Sequence, residues 1–164
     1  MKIKLSINKK KQELDILPGE KLLDVLRSRG YHSVKEGCRE GNCGACVVLL
    51  DGKPVNSCLV FAAHCQERQI TTLEGLGSPG SLHPLQEAFV QSGAIQCGYC
   101  TPGMILSSKA LLDENPDPSD DEIEIALDGN LCRCTGYVQI LEAVKKGAKL
   151  LKKVKKTGDK AGGK

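Results

Sequence analysis

Four of the chain's nine cysteines lie in one glycine-rich stretch with the spacing C-x4-C-x2-C-x11-C. They are Cys38, Cys43, Cys46 and Cys58. This spacing is typical of a plant-type [2Fe-2S] cluster, in which each of the two irons takes two thiolates. The alternative, a structural zinc site, favours two C-x2-C pairs, and this stretch has only one. The spacing therefore predicts that these four thiols, the first set, hold a [2Fe-2S] cluster.

Three glycines are interleaved with the first set, namely Gly37, Gly41 and Gly44. Glycine accepts positive φ and has no Cβ, so the backbone can wrap closely around a cluster. The amide N–H groups of such a loop can donate hydrogen bonds to the sulfur atoms and stabilise an anionic cluster. We therefore expect these glycines to form the loop that binds the cofactor.

Four further cysteines form a second set, with Cys97 and Cys100 in "QCGYC" and Cys132 and Cys134 in "CRC". A C-x2-C pair with a distant C-x-C pair is compatible with zinc or a redox dithiol as well as with iron. Both pairs flank predicted helix ends, where free amides and a partial positive charge favour an anionic group. Their position therefore favours a second [2Fe-2S] cluster.

The remaining thiol and the histidines are predicted to have structural roles. Cys65 lies alone in "VFAAHCQ", and a lone Cys is most often a small buried residue. The three histidines, His32, His64 and His83, lie outside the cysteine motifs. This position argues against a Rieske centre, in which two His replace two Cys.

Composition narrows the class of protein. The 164 residues include 3% aromatics and no Trp, so we expect an aliphatic core in one domain or two small ones. We see no signal peptide and no apolar run near the ~18 residues that span a membrane, and we expect a cytoplasmic protein. In that reducing compartment clustered thiols bind metal more often than they form disulfides. Nine lysines and two acidic residues follow residue 140, but without interleaved aromatics we predict a solvated helix face and no nucleic-acid site.

The elements that must position the first set follow from the alternation of apolar and polar residues. "KIKLSI" and the region of Leu14 and Ile16 predict a hairpin, and "LLDVLRSRG" predicts a helix that ends at Gly30. "CVVLL" and "KPVNSCLVF", joined by a tight turn, and then "RQITTLE" predict three more strands. This order predicts an α+β sheet domain over residues 1–76.

The second half is predicted to be helical. The Gly/Pro/Ser-rich stretch "GLGSPGSLHP" reads as a linker, and four helices follow it. Their signals are a stop at Gly93, Thr101 as N-cap with Pro102 at the first helical position, a Ser119–Glu122 capping box, and an apolar stripe from Ile140 to Leu151. We predict an all-α four-helix domain over residues 77–156 and a flexible basic tail over residues 157–164.

Three motifs, "EGCREGNCGACVV", "QCGYCTPGM" and "GNLCRCTGY", occur in this order. The chain thereby resembles, from about residue 2 to 155, the iron-sulfur subunit of the molybdenum hydroxylases, the family of xanthine dehydrogenase, aldehyde oxidoreductase and carbon monoxide dehydrogenase. The resemblance implies a β-grasp ferredoxin domain followed by a helical domain, each with one [2Fe-2S] cluster.

The resemblance also implies roles and partners. The second cluster is expected to lie nearer the molybdenum cofactor and the first nearer FAD, with Gln96 in contact with the pterin. A large molybdopterin-binding subunit and a medium FAD-binding subunit are the expected partners, in a dimer of heterotrimers, and this chain has no catalytic residue. We expect the complex to hydroxylate a purine or another N-heterocycle. The alternatives are the same relay in an aldehyde or carbon monoxide dehydrogenase, a free ferredoxin, or a zinc-binding interaction module.

Overall fold

The structure is a computed structural model that describes residues 1–159, with side chains through residue 154. Five strands and one α-helix make up most of the first half, and the second half, as far as residue 159, contains four α-helices and no strand. The elements are β1 (Lys2–Ile7), β2 (Lys10–Asp15), α1 (Leu22–Ser28), β3 (Val47–Leu50), β4 (Lys53–Asn56), β5 (Gln69–Thr71), α2 (Pro84–Gln91), α3 (Thr101–Glu114), α4 (Asp120–Leu127) and α5 (Val138–Asp159).

The five strands form one mixed sheet in the order β2-β1-β5-β3-β4. β1 pairs in parallel with β5, and the other neighbours are antiparallel. The predicted hairpin of β1 and β2 is confirmed, and Asn8 and Lys9 at its tip both have positive φ, as a tight hairpin turn requires. In β1 the side chains of Ile3, Leu5 and Ile7 are buried and pack on α1, because alternate residues of a strand point to opposite faces.

Strand β3 is buried on both faces and joins the two halves of the chain. Val48 and Leu50 belong to the core beneath α1, whereas Val47 and Leu49 pack against Leu106 of α3. A strand covered on both faces reads as a continuous apolar run, and "VVLL" is such a run. The sheet and the helical half therefore share an apolar interface.

The helical half has its own aliphatic core around one aromatic side chain, Phe89. Helix α5 lies close against α2, and a Cβ at Gly147 would come within 2.5 Å of Cδ2 of Leu85. Such close packing requires glycine at this position. Another face of α5 carries two ion pairs. Lys145 pairs with Asp120 and Lys152 pairs with Asp117, each at 2.7 Å.

Several predicted boundaries differ from the observed ones. Strand β4 ends at Asn56 and does not continue to Phe61, because the chain turns there and enters a 3-10 helix over Ala62–Cys65. Strand β5 is also shorter than the predicted strand. Thr101 is the first helical residue of α3 and not its N-cap, so the helix begins directly after Cys100.

Helix caps explain two other boundaries. Helix α2 begins at Pro84, where the Nδ1 atom of His83 accepts a hydrogen bond from the amide of Leu85. This gives His83 the structural role that was predicted for it. The capping box at α4 is confirmed, because the Ser119 hydroxyl accepts from the Glu122 amide and the Glu122 carboxylate accepts from the Ser119 amide.

At the C-terminal end, the helix replaces part of the predicted flexible tail. Helix α5 continues to Asp159, so residues 157–159 are helical, and residues 160–164 lie outside the described residues. Of the helices that the structure describes, none combines the length and the apolar character needed to cross a membrane.

Candidate metal centres

The hairpin of β3 and β4 brings two thiols of the first set together. Cys46 directly precedes β3 and Cys58 follows β4, and the amide and hydroxyl of Ser57 both donate to the Cys46 carbonyl, at 3.3 and 2.7 Å. Both cysteines are buried, and their thiols lie within hydrogen-bonding reach of each other. Burial raises the pKa of the Cys46 thiol to about 11.

The other two thiols of the first set, Cys38 and Cys43, form a second pair nearer the surface. The amides of Glu40 and Asn42 donate to the Cys38 sulfur at 3.4 and 3.3 Å, and the Cys38 amide donates to the Cys43 sulfur at 3.4 Å. The Glu40 amide is the largest of the contacts that lower the pKa of Cys38 to about 7. The loop therefore favours a thiolate, as a metal ligand requires.

The three glycines of the loop are required for different reasons. A Cβ at Gly37 would lie 2.6 Å from the Cys43 sulfur, which matches the expectation that a side chain would crowd the thiols. At Gly41, which has a positive φ, it would lie 2.5 Å from Leu59. At Gly44 it would lie 2.4 Å from the carbonyl oxygen of Gly129, in the helical half. Gly44 therefore serves the contact between the two halves and not only the thiol loop.

The second set is assembled from two distant segments. Cys97 and Cys100 lie in the turn before α3, and Cys132 and Cys134 lie in the turn between α4 and α5. The Cys100 thiol meets the Cys132 thiol, and the Cys97 thiol meets the Cys134 thiol. The structure thus brings together all four residues of the predicted set, in two pairs that each join the two segments.

Exposure differs within the second set. Cys97 and Cys134 are exposed, whereas Cys100 and Cys132 are half-buried, and burial raises the pKa of Cys100 to about 12. Burial also opposes ionisation of Cys132, but the hydroxyl and amide of Thr135 donate to its sulfur at 3.1 and 3.4 Å. These hydrogen bonds prevail and hold the pKa of Cys132 below its ordinary value.

The pairwise arrangement fits a two-iron cluster better than a single metal ion. Among the residues that the structure describes, no three His, Cys, Asp or Glu side chains converge on one ion position. A structural zinc site needs four ligands around one centre. A [2Fe-2S] cluster instead takes two thiolates on each iron. Two thiol pairs in each set therefore fit the donor arrangement of a [2Fe-2S] cluster.

Gln96 and Cys65, which also figure in the sequence-based predictions, lie at the surface and in the core, respectively. Gln96 is exposed directly before Cys97, with the exposed apolar side chains of Ile95 and Tyr99 nearby in the chain. Cys65 is fully buried in the core of the first half, and burial raises the pKa of its thiol. Cys65 is therefore a core residue, as predicted.

Sequence reasoning missed the contacts that join the two thiol loops. The Leu131 amide donates to the Cys43 carbonyl at 3.0 Å, and the Asn130 side-chain amide donates to the Gly44 carbonyl at 3.2 Å. The Tyr99 hydroxyl donates to the carbonyl of Glu36. The only signal in the sequence is that Asn130 and Leu131 directly precede Cys132, and nothing in the sequence indicates their partners.

Two families of iron-sulfur domains match the chain in sequence. A 2Fe-2S iron-sulfur cluster binding domain matches residues 5–71, and a [2Fe-2S] binding domain matches residues 72–145. The nicotinate dehydrogenase small FeS subunit of Eubacterium barkeri is 53% identical over 144 residues, which are 87% of this chain and 92% of that protein. The chain belongs to the iron-sulfur subunits of the molybdenum hydroxylases. It is accordingly a subunit of an oxidoreductase with two [2Fe-2S]-binding regions.

In some relatives this subunit is a separate chain, and in others it is one part of a longer polypeptide. The xanthine dehydrogenase iron-sulfur-binding subunit of Escherichia coli O157:H7 is 45% identical over 87% of this chain and 91% of that protein. Quinoline 2-oxidoreductase from Pseudomonas putida 86 has a chain of similar structure, with a TM-score of 0.89 and 40% identity over 93% of this chain and 96% of that one. The aldehyde oxidoreductase of Desulfovibrio desulfuricans matches with a TM-score of 0.90 and 46% identity over 93% of this chain, which spans only 17% of that longer polypeptide.

Proposed function

We propose that this chain carries electrons between a molybdenum-cofactor subunit and an FAD subunit, with Cys38, Cys43, Cys46 and Cys58 as ligands of one [2Fe-2S] cluster and Cys97, Cys100, Cys132 and Cys134 as ligands of the other. The observation that carries this proposal is the pairing of the eight thiols, two pairs in each set. When bound, a [2Fe-2S] cluster accepts and releases one electron at a time. The chain's own residues hold the thiolates, shield them and orient them.

The finer assignment of the fold follows the same reasoning. The mixed sheet with α1 packed on one face supports a β-grasp ferredoxin domain over residues 1–76 with Gly37, Gly41 and Gly44 in its cluster loop. Helices α2 to α5, with their separate core, support an all-α four-helix domain over residues 77–156. We also propose a cytoplasmic location for the complex, since clustered thiols in a reducing compartment more often bind metal than form disulfides.

The orientation of the relay follows from exposure. In the second set Cys97 and Cys134 are exposed, and the exposed apolar side chains of Ile95, Leu131 and Val138 lie close to them in the chain. Exposed apolar side chains around a functional group are typical of a surface that a partner protein covers. We assign this surface to the large molybdopterin-binding subunit, with Gln96 in contact with the pterin, and the first set to the side of the FAD-binding subunit. A dimer of heterotrimers is the assembly we propose.

An N-heterocycle is the substrate class that the relatives favour. Two of them are named for nicotinate, at 53% and 46% identity, and a third is named for nicotine, at 46%. The structural neighbour of comparable chain length is named for quinoline. The second candidate is an aldehyde, because aldehyde oxidoreductases match at 42 to 46% identity. We propose hydroxylation of a pyridine-type ring, or of a related purine, in the large subunit.

The central experiment uses the purified complex. We expect about four iron and about four sulfide per copy of this chain and two distinct electron paramagnetic resonance (EPR) signals after reduction with dithionite. A preparation with bound zinc, or with a single paramagnetic centre of this type, would contradict the proposal. Anaerobic addition of nicotinate, hypoxanthine or an aromatic aldehyde then identifies the substrate class, because only a substrate reduces the clusters.

Gln96 provides a test of the orientation. Replacement of Gln96 by Ala removes an exposed amide and leaves the thiols untouched, so we expect slower reduction of the second cluster by substrate at an unchanged iron content. Electron transfer from chemically reduced clusters to FAD should remain at the rate of the unmodified complex. If the substitution slows the flavin step and not the substrate step, the orientation of the relay is reversed.

A further inference from the structure

A short segment of the helical half runs directly against the loop of the first set. After α4 ends, Asn130 and Leu131 pass beside the loop and lead into Cys132. The Leu131 amide donates to the carbonyl of Cys43 at 3.0 Å. Leu131 is the residue before one thiol of the second set, and Cys43 is itself a thiol of the first set. The two sets are therefore connected by one residue and one hydrogen bond.

The neighbouring Asn130 is fixed by hydrogen bonds on every side. Its side chain is only 4% exposed, its amide nitrogen donates to the Gly44 carbonyl at 3.2 Å, and its amide oxygen accepts from the Ser107 hydroxyl at 2.8 Å. Its backbone amide donates to the carbonyl of Leu127 at 2.8 Å. A buried amide with both ends bonded has one orientation, since any rotation would leave polar atoms unpaired.

Two glycines let the backbones approach at this point. A Cβ at Gly103 would lie 2.3 Å from the Gly44 carbonyl oxygen and 2.9 Å from the Asn130 side-chain nitrogen. A Cβ at Gly44 would lie 2.5 Å from the same nitrogen. No side chain fits between the loop and the start of α3. The contact is therefore built for the closest approach that two backbones can make.

We propose that the Asn130–Leu131 segment is the electronic bridge between the two thiolate sets and that Asn130 is its positioning residue. The inference rests on the proposed function, because it concerns the step between the two clusters. Electron tunnelling weakens exponentially with the gap and is more efficient through bonds and hydrogen bonds than through space. Asn130 holds Leu131 against Cys43, so its hydrogen bonds maintain the shortest bonded route. The hydroxyl of Tyr99, a half-exposed residue, makes a second contact with the loop of the first set by donating to the Glu36 carbonyl.

The decisive variant is Asn130→Leu, studied in the intact complex. Leucine has a similar size but cannot bond to Gly44 or Ser107, so the segment loses its anchor while the core remains filled. The matched control is Ser108→Ala, because Ser108 is equally buried in α3 but donates only to the carbonyl of Met104, at 2.7 Å within the same helix. The readouts are iron content, the two cluster signals in the EPR spectrum of the reduced complex, and the inter-cluster transfer rate after a light-triggered electron injection.

We expect Asn130→Leu to keep both EPR signals and to transfer electrons between the clusters more slowly. Ser108→Ala should match the unmodified complex in all three measurements. An Asn130→Leu complex with both clusters and an unchanged inter-cluster transfer rate would overturn the proposal. A role in packing alone would lower the melting temperature without changing that rate.

A second variant covers the case in which Asn130→Leu does not assemble its clusters. Ser107→Ala removes only the hydroxyl that orients Asn130, and we expect it to bind both clusters and to transfer electrons between them more slowly. A transfer rate equal to that of Ser108→Ala would then overturn the bridge. The proposed function itself fails separately, if the unmodified complex lacks two clusters.

Discussion

The two thiol sets are built in different ways. In the first, three of the four cysteines lie within a single loop, and a hairpin supplies the fourth. In the second, two turns that are separated by α3 and α4 contribute two cysteines each. The first set therefore depends mainly on local backbone conformation, whereas the second exists only when the helices have packed.

The two sets also differ in the groups that donate hydrogen bonds to their sulfur atoms and in how deeply the thiols are buried. Backbone amides of Glu40 and Asn42 serve Cys38 in the first set, and a side chain, Thr135, contributes to Cys132 in the second. The first set buries one pair completely, and the second leaves one pair exposed. The chain itself shields the buried pair of the first set, whereas the exposed pair of the second set is accessible to a partner protein. This difference supports the orientation of the relay that we propose.

The largest expected effect comes from removal of one thiol in each set. Cys43→Ser should lower the iron content from about four to about two per chain and abolish the EPR signal of the first cluster only. Cys100→Ser should abolish the signal of the second cluster only, because serine is well suited to the N-cap position that Cys100 occupies before α3. Iron analysis and EPR of the two complexes check both expectations. Loss of both clusters in Cys43→Ser would show that the first set is not independent.

A smaller effect is expected where the two halves meet. Gly103→Ala places a Cβ 2.3 Å from the Gly44 carbonyl, and overpacking of this kind typically costs about 1–3 kcal/mol of unfolding free energy. Gly129→Ala is the matched control, since a Cβ there has no heavy atom within 4 Å. Urea unfolding of the two variants measures the difference. Equal stabilities would mean that the two halves do not press against each other at Gly103.

The cap of α4 should have a still smaller effect, confined to the second set. Ser119→Ala removes the side chain that accepts from the Glu122 amide, and loss of such a cap costs about 1 kcal/mol. Because α4 leads into the turn that contains Cys132, the second cluster should be lost at a lower temperature. Ser119→Asp preserves a good cap and should retain the original melting temperature. An unchanged melting temperature in Ser119→Ala would contradict the prediction.

The smallest effect is expected at Tyr99. Tyr99→Phe removes one half-exposed hydrogen bond to Glu36, which is worth about 0.5 kcal/mol. Tyr31→Phe removes a comparable hydroxyl, one that accepts from Gln12 at 2.9 Å and lies away from the join between the loops. Both variants should lose similar stability in urea unfolding, but only Tyr99→Phe should slightly slow electron transfer between the clusters. Identical transfer rates would exclude Tyr99 from the route.

Local features of the fold were predictable where neighbouring residues determine them. The hairpin of β1 and β2 follows from alternation, and the Ser119–Glu122 capping box follows from a spacing of three residues. The early end of β4 and the cap of α2 by His83 were not predicted. His83 is an unusual cap, although its hydrogen bond to the Leu85 amide is local. The apolar residues Val60 and Phe61 favour a longer strand, but the Val60 carbonyl accepts from the amide of Leu22, a tertiary contact that sequence patterns do not show.

By itself, the sequence determined the grouping of eight cysteines into two sets of four, because spacing within a loop or beside a helix end is a local property. Only the tertiary structure decided that Cys97 meets Cys134 and Cys100 meets Cys132, and that Asn130 lies against Gly44. These contacts join residues that are distant in the chain. The thiol contacts form because the helices pack together, and the Asn130 contact forms because α3 packs on β3. Spacing therefore predicts the two thiol sets, and packing determines how they are connected.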